Sequence, residues 1–160
     1  MSFKLLVGLL ALFMVHTGCV KLPDRVSSAS LRINYANVEG QGEYTVIFSC
    51  FIENDNPNRV LVNLTADVQV SIGQGAIIEV FPVEAKAILP FSDEMVENVQ
   101  VRTREEILPL IEILNIDEDA LIKMGTIRPI RLSDVRFSNV RSSQMKINDY
   151  LKGKINEKNN

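Results

Sequence analysis

The chain has no tryptophan, one histidine and two cysteines among its 160 residues. Each scarcity excludes something. A single histidine, His16, excludes any site that needs a histidine pair. Two cysteines frame neither a disulfide-dense scaffold nor a four-cysteine zinc site. Basic residues are not in excess: 17 Lys and Arg stand against 20 Asp and Glu, a net charge of −3. That balance argues against nucleic acid as a partner. No apolar run approaches the roughly 20 residues that span a bilayer. What is present looks globular. A hydrophobic content of 46% with 23% charged residues excludes a wholly disordered chain.

An uncharged apolar run, Leu5 to Val15, follows Lys4 at the N-terminus. A short cation and a short apolar core are the pattern of a secretory signal peptide, placed here over residues 1–18. The next residues, His16-Thr17-Gly18-Cys19, resemble the lipobox of bacterial lipoproteins. Thr17, Gly18 and Cys19 match that pattern; His16 departs from the aliphatic residue usual there. The resemblance implies cleavage before Cys19 and its modification with diacylglycerol and further acyl chains such as palmitate. Val20, rather than Asp, then implies the outer membrane, with the domain facing the periplasm. Each buried CH₂ contributes about 0.8 kcal/mol, so two or more chains hold a protein firmly. The mature chain would hold no histidine, and acylation of Cys19 would leave Cys50 without a disulfide partner.

Residues 19–30, with Pro23, Ser27, Ser28 and Ser30, read as a lipidated tether. From Leu31 to Val140 the pattern is mainly strand. Tyr44, Val46, Phe48, Cys50 and Ile52 share one face of a strand. Ile47 and Phe51 on the other suggest cover from both sides. Asn54 to Asn58 forms a turn. Leu64, Ala66, Val68, Val70 and Ile72 alternate with polar residues over the clearest strand of the chain. Two further strands are expected on either side of Pro82, and a weaker one over Val96–Arg102. Thr103 with Glu106 is a capping box that opens a helix. Pro109 either kinks that helix or sits in the first turn of a later one. Asp117 caps a short second turn that Gly125 closes. A last strand runs from Ile127 to Val140, with a bulge near Ser133-Asp134. Residues 141–160 read as a polar, frayed tail. Short strands separated by turns predict a mainly β domain, a β-sandwich with one helix inserted late.

The turn Asn56-Pro57-Asn58, the long strand after it and the glycine turn at Gly73 and Gly75 carry a second resemblance. The segment is similar to the water-stress and hypersensitive-response domain of the late-embryogenesis-abundant group 2 family. That family implies a fibronectin-III or immunoglobulin-like β-sandwich with one helix. It brings no catalytic residues, and its ascribed roles are stress protection and stabilisation of other molecules.

The residues offer little catalytic chemistry. Cys50 lies on an apolar strand face with no histidine to activate it, so a packed thiol is expected. Asn54-Asp55-Asn56 and Asp117-Glu118-Asp119 lack calcium-loop spacing. Glu79, Glu84, Asp93, Glu94 and Glu97 form carboxylate pairs such as any acidic domain has. Gly73-Gln74-Gly75 lacks the later glycine of a phosphate loop. Neither metal nor cofactor is expected, and no small-molecule substrate. Arg128, Arg131 and Arg136 remain, with Arg141 close by. They blunt an edge strand against aggregation, or they dock an acidic partner. The expectation is therefore a non-enzymatic, membrane-anchored lipoprotein with an accessory binding or stress-protective role. The alternative is a subunit of an envelope machine such as a secretion, pilus or flagellar assembly.

Overall fold

The computed structural model describes residues 26, 28–72 and 76–159. Signal peptide, lipobox and most of the tether lie outside the described residues, as does the Gly73–Gly75 turn. Seven strands follow in chain order as β1 (Ser28–Val38), β2 (Gln41–Asn54), β3 (Arg59–Ile72), β4 (Ala76–Ile88), β5 (Ser92–Arg102), β6 (Ile130–Leu132) and β7 (Val135–Lys146). Three helices accompany them among the described residues: α1 (Arg104–Ile113) and α2 (Glu118–Met124) between β5 and β6, and α3 (Ile147–Lys158) after β7.

The chain is mainly β and forms two antiparallel sheets. One has the order β5-β2-β1-β6 and the other β4-β3-β7. The alternation of β2 drives this arrangement. Tyr44, Val46, Phe48, Cys50 and Ile52 are all buried. Their counterparts on β3, Leu64, Ala66, Val68 and Val70, are buried as well. The two rows meet in one shared core. Phe48 of the first sheet stacks on Phe81 of the second, with ring centroids 4.4 Å apart and planes 5° from parallel. Such a ring pair contributes about 1 kcal/mol beyond the area it buries.

The hairpin between β1 and β2 turns on Glu39 and Gly40, both at positive φ (54° and 85°). Two residues with positive φ give the twist that joins antiparallel strands tightly. Gly42 follows, and the ring of Tyr35 packs so closely that a Cβ there would stand 2.9 Å from Cε2.

Several elements differ from the sequence reading. Phe51 is exposed, so the outer face of β2 is open rather than covered. The residues around Pro82 form one continuous strand. This is tolerated because β4 is an edge strand and Pro82 carries no N–H to lose from a ladder. Pro109 lies inside α1, on its solvent side, where water can satisfy the freed carbonyl. The expected bulge at Ser133-Asp134 is a change of sheet: β6 pairs with β1, and β7 pairs with β3. The last strand continues to Lys146, and α3 occupies residues expected to fray.

Candidate functional site

Cys19, the expected lipid-attachment residue, lies outside the described residues. The chain enters them at Val26, which packs against the core. Ser28 opens β1 and pairs with Phe51 of β2, which in turn pairs with Met95 of β5. The N-terminus therefore leaves from one end of the first sheet.

The same end holds the Asn56-Pro57-Asn58 turn, and Asn54 organises it. Asn54 continues the inward-facing row of β2 and is 1% exposed. Its Nδ2 donates to the carbonyls of Arg59 (2.9 Å) and Ile88 (2.8 Å). Its Oδ1 accepts from the Asn56 backbone N–H (3.1 Å) and from Asn56 Nδ2 (2.9 Å). One amide thus ties the end of β2 to the start of β3 and the end of β4. A side chain committed in this way cannot ligate a cation. The turn is structural, and the step-two parity of β2 was the signal that could have singled out Asn54.

Cys50 is buried, and burial pushes its thiol up to about 12. A thiol held protonated at neutral pH is a poor nucleophile. The oxygen-rich segment at Asp117 is also committed. Asp117 caps α2 by accepting from the Ala120 N–H at 3.1 Å. Glu118 accepts from Tyr44 Oη at 2.7 Å and from Nε and Nη2 of Arg104, each at 2.9 Å. The Arg104 bonds, then the Tyr44 bond, hold the Glu118 carboxyl below its ordinary value. Burial, followed by the Glu118 contact, pushes Tyr44 up to about 12. This cluster joins α1 and α2 to the first sheet, and sequence reasoning missed it because its members are 74 and 14 residues apart.

Of the five carboxylates expected to offer pairs, Glu79 is bound to Arg102 at 2.9 Å. Gln100 and Asn98 continue that row, and Asn98 Nδ2 reaches the Pro82 carbonyl at 3.0 Å. These bonds sew β5 to β4 where the two sheets meet. Among the described residues no three ligating side chains gather around a common point. A groove of about 450 Å³ runs between α3 and the second sheet, lined in part by Val62, Met145, Tyr150 and Lys154.

The opposite side differs. β6 and β7 are the outer strands of their sheets. Arg131 stands on β6, Arg136 on β7 and Arg128 in the segment before β6, all exposed. Arg141 and Lys146 extend the row along β7. Between residues 128 and 146, Asp134 is the single acid, and it lies 3.7 Å from Arg136. The structure thus places Arg131 and Arg136 on the outer strands of different sheets, with Arg128 in the segment before β6. A second surface mixes apolar side chains with acids, Glu97 among them. On the outer face of the first sheet, Met95, Val99 and Val101 of β5 stand exposed beside Phe51.

No protein-family model matches the chain, and no curated protein or solved structure matches it.

Proposed function

We propose that this chain is a non-enzymatic lipoprotein, anchored through Cys19 in the outer membrane and facing the periplasm. Its domain is a fibronectin-like sandwich with an accessory binding or stress-protective role of the late-embryogenesis-abundant type. The chain crosses between sheets at β2–β3, β4–β5 and β6–β7, which supports a Greek-key sandwich. One observation carries the binding role: the cationic outer edge of β7. Twelve residues of strand are paired on one side only, and Arg136, Arg141 and Lys146 stand along them. An edge of this kind offers backbone donors and acceptors to an extended segment, and its charge selects an acidic one.

The test is a crosslinked pull-down of the tagged protein from its own membranes, beside the double variant Arg136→Glu/Arg141→Glu. Charge reversal at close contacts typically costs several kcal/mol of binding, so partner recovery should drop about tenfold or more. The variant's circular dichroism should be unchanged, because both side chains are exposed. Equal recovery by the two proteins contradicts docking at this edge. The second reading, an envelope-machine subunit, draws support from the apolar row on β5 and β2, since exposed apolar patches mark protein contacts. It predicts one stoichiometric partner that survives the charge reversal and is lost with Val99→Asp.

A further inference from the structure

The end of the first sheet from which the N-terminus leaves carries several exposed apolar side chains. Phe91, in the turn between β4 and β5, is 75% exposed and sits at a φ of +52°. Left-handed backbone at a bulky residue costs on the order of 1 kcal/mol. Here it holds an aromatic ring out into solvent. Its backbone N–H donates to the Asn54 carbonyl at 2.9 Å, and Ser92 donates both N–H and hydroxyl to Leu89. The turn is therefore braced rather than loose. Leu89, Phe51 and Met95 are exposed beside it. Phe51 pairs directly with Ser28, the first residue of β1.

Val26 lies seven residue steps after Cys19. At no more than about 3.5 Å per step, the segment reaches about 25 Å. An acyl group on Cys19 therefore keeps this end of the domain close to the bilayer surface. We propose that the occupant of the apolar end is the membrane interface itself, with Phe91 as the residue that enters the headgroup layer and Leu89, Phe51 and Met95 beside it. The inference rests on the lipid anchor proposed above. It adds the orientation of the domain: sheet end down, with the helices α1 and α2 away from the membrane. Exposed Phe, Leu and Met side chains gain by burying apolar surface at the boundary between headgroups and acyl chains. Glu53, Asp55, Asp93 and Glu94 surround the turn and are exposed. Their charge selects a neutral, zwitterionic surface over an anionic one.

The absence of tryptophan from the chain gives a clean probe. Phe91→Trp is one reporter, and Met124→Trp, on the exposed end of α2, is the control. Each protein is purified acylated from its own membranes and bound to phosphatidylcholine–phosphatidylethanolamine vesicles, with flotation as the check on anchoring. The expected result is a blue shift at position 91 and loss of most emission to lipids brominated near the headgroup, with neither at position 124. Adding phosphatidylglycerol should reduce the quenching. Protein that floats with position 91 still emitting as in water overturns the docking and leaves the anchor standing. Protein that does not float overturns both. A shift seen in native membranes but absent on pure lipid overturns it in favour of a protein partner.

Discussion

Asn54 occupies an inward position where the alternation of β2 otherwise supplies only apolar side chains. A buried amide is stabilising only when every donor and acceptor is met, and here four bonds meet them. Truncation would strand two carbonyls and an N–H in the same confined turn. Asn54→Ala should therefore lower stability by about 3 kcal/mol, given about 1–3 kcal/mol for each orphaned buried group. A urea unfolding midpoint unchanged from that of the parent would contradict this account of the turn. The Asn-Pro-Asn tripeptide was legible in the sequence, but its anchor was not. Asn54 looked like one more turn residue because local composition does not show that the strand runs two residues longer.

At the scale of elements, α1 and α2 are held to the first sheet through the Tyr44–Glu118–Arg104 cluster. Leu121 and Ile107 are buried beneath them. Glu118 has a folded value below the ordinary 4.5. Its unfolded carboxyl binds protons more readily than the folded one. The stability it contributes is thus present above about pH 4.5 and drains as pH falls through the lower, folded value. Amide exchange in α1 and α2 should accelerate in that acid window, while β2 and β3 remain protected. Glu118→Gln should flatten the dependence and weaken the helices at neutral pH. Identical acid profiles for the two proteins would contradict the role of this carboxylate.

The element boundaries show where sequence reading succeeds. Strict alternation located β2 and β3, and cap chemistry located both helix starts and the Gly125 stop, which sits at a φ of 74°. The sheet change at Ser133-Asp134 was not legible. A two-residue phase break is the same local signal whether the strand bulges or passes to the other sheet. The helix α3 was hidden because most of its side chains are polar and none is buried. Its supports include the Ile147 N–H bond to the Asn58 carbonyl at 3.1 Å and the local Lys154–Glu157 pair at 2.8 Å.

On the scale of the molecule, the two sides of the paired sheets are finished differently. The β4–β5 side is closed by Pro82, Asn98 and the Arg102–Glu79 pair. The β6–β7 side is left open with a row of cations. The N-terminus leaves at an end studded with exposed apolar side chains. A closed side, an open charged edge and an apolar end beside the start of β1 suit the proposed protein that works by contact while held at a surface. That account depends first on the anchor. The most direct measurement is the intact mass of the protein extracted from its native membranes. The account predicts a chain beginning at Cys19 that carries a diacylglycerol and a further acyl group. A mass matching a chain that still begins at Met1, or one that begins at an unmodified Cys19, would contradict it.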